Sequence, residues 1–223
     1  MAPSYFEFLS RFAPLLLKGA WMTVQLLLYA SSLSFLLGSL FGLLTSRAFT
    51  IKGVTPILES FTFILRGVPF FVQLLIAYFV LPDLLGFNIE PFPTSVVSLG
   101  ICSSGYMAQI IRGGINAIPE EQWESAFQLG FNKLYSFWYV IFPQALRRAL
   151  PMINNEVDGL LKTTATVSTI GMLELTRVGM NIVAREMNPV AVYLTIALVY
   201  VCMSLCINLI MRGLEQRLVH VKS

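Results

Sequence analysis

The chain has 223 residues, of which 56% are hydrophobic and only 12% charged, and its mean hydropathy is +0.73. That is too apolar for a water-soluble domain of this size, so the lipid bilayer is its natural solvent. The formal net charge of +3 is not gathered into a basic patch, which excludes a nucleic-acid binder.

A spanning helix takes about 20 apolar residues, which leaves room for roughly five or six spans and little else. The sequence therefore predicts one all-α integral membrane domain over residues 1–223. The first apolar run, 20–46, is rich in Leu and carries Gly38 and Gly42 at the small-xxx-small spacing that lets helix backbones approach. It follows Arg11 and Lys18 but is too long for a signal sequence and has no small-residue cleavage site, so it is expected to stay as a span. A second run, 57–81, is interrupted by Arg66, Gly67 and Pro69, and a third covers 92–111. Residues 112–143 are polar, the fourth segment (146–173) is moderately apolar, and the fifth (190–211) strongly so. Cys102, Cys202 and Cys206 sit inside apolar segments without metal or disulfide spacing and read as packing residues.

Basic residues in short loops mark the cytoplasmic side. Arg47 and Lys52 put the first loop inside; the second has Asp83 and Glu90 but no Lys or Arg; the third has Arg112, Lys133, Arg147 and Arg148; the tail has Arg212, Arg217 and Lys222. Five spans, N-terminus outside and C-terminus inside, satisfy the rule. Arg177 and Arg185 are the exceptions, partly balanced by Glu174 and Glu186.

Within the polar stretch, Pro119 followed by Glu120 and Glu121 is a helix-start signal and Gly130 a C-terminal cap, which predicts two short helices around a turn. Trp123, Phe127, Leu134, Phe137, Trp138 and Val140 would give this cytoplasmic hairpin an exposed apolar knob. Such a surface docks into a partner.

The fourth segment sets Asn155, Asp158, Lys162, Thr166 and Thr169 at spacings of three and four, an arc of roughly eighty degrees on an α-helix. Charged groups at bilayer depth are costly unless they face a partner or a water-filled cavity, so this polar stripe is a candidate solute pathway. Asp158 and Lys162 also stand in the order that favours an internal ion pair, which is the competing structural reading. Arg66 has a planar fork suited to a solute carboxylate, or it anchors its segment through a neighbouring carbonyl. Gln73, seven residues on, hydrogen-bonds a solute or bridges helices, and Glu156, about a hundred degrees off the stripe, reads as structural. No G-x-x-x-x-G-K-[ST] loop is present and His220 is the only histidine, so ATP binding of that kind, His-based zinc sites and a Ser-His-Asp triad are not expected on this chain.

The hairpin resembles the permease signature of bacterial ABC importers, E-A-A, three residues, G, nine residues, I-x-L-P. Glu124, Ser125, Ala126, Gly130, Val140, Phe142 and Pro143 stand at that spacing, with Ser125, Val140 and Phe142 as substitutions. From Gly19 onward the chain is similar to the polar amino acid subfamily: GAWMTVQLLL (19–28), RGVPFFVQ (66–73), IIRGGINAIP (110–119) and residues 155–175. Thr163 and Ala165 depart from it, at positions where K-D-T-S is frequent. The resemblance implies a multi-pass permease of the bacterial inner membrane that moves amino acids by alternating access. It implies a coupling helix between the third and fourth spans that engages two copies of an ATPase subunit, which bind ATP and Mg. It further implies a second permease subunit, identical or related, and an extracytoplasmic solute-binding protein. Two rival readings of the residues remain: a small membrane enzyme on lipid-linked substrates using Glu156, Asp158 and Lys162 as acid-base groups, and a passive channel.

Overall fold

The computed structural model describes the backbone of residues 5–86 and 90–220 and the side chains of 10–86 and 90–217, so Lys222, used above for orientation, lies outside the described residues. Every regular element among them is helical: α1 (Tyr5–Leu44), α2 (Val54–Gly67), α3 (Phe70–Leu75), α4 (Leu81–Leu85), α5 (Pro91–Asn116), α6 (Glu120–Gln128), α7 (Lys133–Ser136), α8 (Phe142–Thr163), α9 (Leu175–Glu186) and α10 (Pro189–His220). Two π-helical turns, Ile76–Val80 and Phe137–Ile141, run into α4 and α8, and a 3-10 segment, Thr164–Ile170, follows α8. Each π turn ends two residues before a proline, Pro82 or Pro143. The missing N–H of that proline leaves a carbonyl four residues earlier unbonded, and widening the preceding turn by one residue is how a helix absorbs the defect.

Among the described residues, three helices are long and apolar enough to cross a membrane, within 10–44, 91–116 and 189–217. α2 and the α3–α4 run together form a fourth candidate, bent by 99° at the Val68–Pro69 break. The predicted 57–81 run is therefore not one straight helix: Val68 precedes a proline and takes an extended backbone (ψ 129°), which ends α2. α8 is too polar for the same measure.

The chain folds into two compact units. The first comprises residues 1–31, 69–100 and 157–207. Its core gathers Leu26, Leu27 and Ala30 of α1 with Leu74, Leu99, Leu160, Leu161 and Val167. A second cluster packs Phe12 and Leu16 of α1 on Leu175 and Ile182 of α9 and on Val192 and Ile196 of α10. α9 was not expected from the sequence. The buried Glu174 caps it, its carboxylate accepting the N–H groups of Thr176 (2.8 Å) and Arg177 (2.7 Å). Arg177 and Arg185 thus belong to a helix of their own rather than to a short loop, where the charge rule would apply.

The second unit comprises residues 32–68, 101–156 and 208–223. Here α1 and α5 run parallel: Ser34 meets Ser103 (Oγ–Oγ 2.8 Å) and Arg47 meets Asn116, both pairs 69 residues apart. Backbone approach makes this possible. A β-carbon at Gly38 would lie 2.5 Å from Met107 Cβ, and one at Gly42 2.6 Å from the Ala108 carbonyl oxygen. α5 receives its other neighbours in the same way, Gly105 lying against Thr62 of α2 and Gly114 against Ala145 of α8. Arg112 and Glu59 (2.7 Å) add an ion pair between α5 and α2.

Gly42→Ala should destabilise the protein by about 1–3 kcal/mol, because the clash is with backbone and cannot be relieved by a rotamer change. Gly113→Ala, which meets open space, should be neutral or mildly stabilising. Thermal unfolding of the two variants in one detergent measures the difference; equal melting points would refute the close contact.

Candidate functional site

The predicted hairpin is formed, and its geometry follows from a few residues. Asn116 ends α5, so the connection begins at Ala117 rather than at residue 112. α6 starts after Pro119 with Glu120 and Glu121 in its first turn, where acids complement the helix dipole. Its far end closes at Gly130 (φ +84°): the Gly130 N–H donates to Phe127 O (2.9 Å) and the Phe131 N–H to Ala126 O (3.1 Å), a Schellman closure. Asn132 then caps α7, accepting from the Tyr135 N–H at 2.9 Å. Ala126 is buried, whereas Glu124 and Ser125 point to solvent. Gln144, just after Pro143, donates to the Val140 carbonyl (2.8 Å) and to Gln122 (3.1 Å), tying the start of α8 to α6.

The apolar knob needs one correction. Phe137 is 2% exposed, its ring 4.9 Å from that of Phe49, because the π turn rotates it inward. Trp123 and Val140 are half-buried. Phe127, Leu134 and Trp138 are exposed, joined by Leu129, Tyr135 and Tyr139, which the sequence reading missed; the two tyrosines stack at 4.1 Å and their i, i+4 spacing was the available signal. Beside α6 lies a cleft of about 300 Å³ lined by Arg47, Asn116, Glu120, Trp123, Glu124 and Lys133, among others.

A second concavity in the same unit, about 340 Å³, is lined by Arg66, Tyr106, Gln109, Ile110, Met152, Asn155 and Glu156. It brings together two predicted pathway residues, Arg66 and Asn155. Arg66 spends its Nε on the Thr62 carbonyl (3.2 Å), and the Tyr106 hydroxyl donates to the Arg66 carbonyl at 3.4 Å. Glu156, set aside as structural, accepts from Ser103 Oγ at 2.6 Å and also lines the cavity. Its hydroxyl partner is 53 residues away, which no helical projection could show. Among the described residues no group of three metal-ligating side chains is present.

A model for the family described as "binding-protein-dependent transport system inner membrane component" matches residues 34–220. The chain belongs to this family. The permease is 36% identical over 210 residues to the glutamine transport system permease protein GlnP of Escherichia coli, covering 92% of this chain and 93% of that one. It is 32% identical to the arginine transport system permease protein ArtQ of Bacillus subtilis, with the same coverage. The crystal structure of an amino acid ABC transporter with histidines has a chain that superposes with TM-score 0.87 at 34% identity, covering 97% of this chain and all of that one. The MetNI methionine ABC transporter shares the fold at 18% identity (TM-score 0.78). As a permease subunit of an ABC importer this chain is a transport component, and ATP is hydrolysed by a separate subunit.

The other permease residues singled out in the sequence lie in the first unit. Lys162 Nζ donates to Asp158 Oδ2 at 2.6 Å, and Asp158 also accepts from Ser204, so the internally paired reading of these two is realised. The stripe is not one α-helical face as far as Thr169. α8 ends at Thr163, and the 3-10 segment, with three residues per turn, carries Thr166 and Thr169 around on a different pitch. Gln73 lies half-buried on α3.

The left-handed backbone at Gly130, with no neighbour within 4 Å of a built β-carbon, makes the requirement for glycine purely conformational. Gly130→Ala should loosen the closure of α6 by about 1–2 kcal/mol and Gly130→Asn by less. Hydrogen exchange at the Phe131 amide reads this; equal protection in all three proteins would contradict it.

Proposed function

We propose that this chain is the pore-forming subunit of an ATP-driven importer for polar amino acids in the bacterial cytoplasmic membrane. The observation that carries the solute class is the cavity of the second unit, where Arg66 and Glu156 line one space with Gln109 and Asn155. An amino acid is a zwitterion. A guanidinium suits its carboxylate, a carboxylate its ammonium, and the two amides its remaining polar atoms. The relatives named for glutamine and arginine transport support the same class.

In this reading residues 1–223 form a single permease domain with five spans, N-terminus outside and C-terminus inside, α8 being the fourth. The parallel run of α1 and α5 supports it, since first and third spans must cross in the same sense with one crossing between them. Arg66, Gln73, Asn155, Asp158, Lys162 and Thr166 line the route, the Asp158–Lys162 pair holding its charge neutral until solute exchanges with it. Glu124, Ser125, Ala126, Gly130, Val140 and Pro143 form the coupling hairpin. Two permease subunits, identical or related, sit on two ATPase subunits that carry ATP and Mg, and a solute-binding protein delivers the amino acid from outside. Closure of the ATPase pair moves the hairpins and alternates access.

The complex, reconstituted in liposomes with its ATPase and binding protein, should import radiolabelled glutamine or arginine only when ATP is supplied. Arg66→Ala and Glu156→Gln should each cut uptake at least about tenfold, the factor for losing a charge-assisted hydrogen bond, with ATPase assembly unchanged. Flux without ATP would instead identify a channel, and full uptake by both variants would remove the cavity from the pathway.

A further inference from the structure

We propose that Arg47 is a positioning residue of the coupling machinery: it clasps Asn116, the end of α5 from which the short connection to α6 leaves, to the end of α1, so that displacement of the hairpin moves those helices. The inference rests on the coupling reading of the hairpin and adds to it the part that carries motion into the membrane domain.

The connection from α5 to α6 is only residues 117–119. Left unsupported, three residues would act as a hinge and absorb a push on α6. They are instead gripped from two sides. Immediately after α1, the Arg47 N–H donates to Asn116 Oδ1 at 3.0 Å, and its guanidinium donates to the Asn116 carbonyl oxygen and reaches Glu120 Oε1 at 3.4 Å. Asn116 is the last residue of α5 and Glu120 the first of α6. From the other side Arg148 of α8 donates to the Ala117 carbonyl at 2.6 Å.

The turn that presents Arg47 is itself fixed. Thr45 Oγ1 donates to the Phe41 carbonyl (2.8 Å) and Ser46 Oγ to that of Leu43 (2.7 Å), closing the end of α1. Thr55 Oγ1 reaches the Leu44 carbonyl at 3.0 Å, joining α2 to the same point.

The chemistry distinguishes the three contacts. The ion pair with Glu120 is exposed on both sides and, standing in water, contributes little. The Asn116 contacts carry the clasp, and they need a fork that donates to a carbonyl from a fixed backbone position. Lysine, a single flexible ammonium, does not reproduce that geometry.

The test measures ATP hydrolysed per glutamine or arginine imported by the reconstituted complex. Arg47→Ala and Asn116→Ala should raise that ratio about fivefold, the factor for one hydrogen bond, with Arg47→Lys in between and Glu120→Gln near wild type. A purely structural loss would lower uptake and hydrolysis together, so an unchanged ratio overturns the proposal. Should Arg47→Ala fail to assemble, Asn116→Ala, which removes only the side-chain acceptor, carries the same comparison. Gly130→Ala and Glu124→Ala serve as the control for the parent reading. If they uncouple transport and the Arg47 and Asn116 variants do not, the clasp alone falls; if none of the four uncouples, the hairpin assignment falls with it.

Discussion

The second unit depends on how closely the backbone of α1 approaches that of α5. Without side chains at Gly38 and Gly42, the two helices come near enough for Ser34 to reach Ser103 and, 13 residues later, for Arg47 to reach Asn116. Between helices in lipid there is little hydrophobic gain from burial, so association rests on van der Waals contact and interhelical hydrogen bonds, both of which demand this proximity. One contact made possible by the glycines organises the cavity, since Ser103 in turn holds Glu156. Another sets the base of the hairpin, since Arg47 holds Asn116, from which the connection to α6 leaves. A substitution deep in the α1–α5 seam is therefore expected to act on both sites without touching either.

Much of this was legible in the sequence where a local rule decides the structure. The left-handed residue that closes α6 favours glycine, so Gly130 marks the hairpin in the sequence itself. Gly38 and Gly42 announced a close helix contact by their spacing alone. The apolar runs gave α1, α5 and α10 because burial in lipid requires length and hydropathy and nothing else.

What was not legible depends on tertiary partners or on competing local signals. α9 has a polar face and a modest length, and it is stabilised by packing on Phe12 and Leu16 far upstream, so no window of its own sequence distinguished it from a loop. The stripe from Asn155 to Thr169 assumed one helical period, and the tighter 3-10 segment broke it. Phe137 carried the hydrophobicity expected of a docking knob, yet the π turn forced by Pro143 turned it inward. Glu156 was read by its angle to Asp158 and Lys162, and that criterion could not show the Ser103 hydroxyl that α5 places opposite it.

Pairing gives a sharper criterion than helical phase for sorting the charged groups. A charge in an apolar chain has to be compensated, and one whose partner is already fixed within the fold has less left to offer a solute. Asp158 is compensated by Lys162 and Ser204, Glu174 by two backbone N–H groups and Tyr200, and Arg112 by Glu59. Arg66 and Glu156 differ: each spends one polar atom on a neighbour, Nε on Thr62 and Oε1 on Ser103, while both line the same cavity. In the proposed reading, their remaining terminal nitrogens and oxygen are the groups whose hydration a zwitterion entering that cavity would replace. By that criterion Arg66 and Glu156 have more left to offer a solute than Asp158 and Lys162, whose mutual pairing has to be exchanged first.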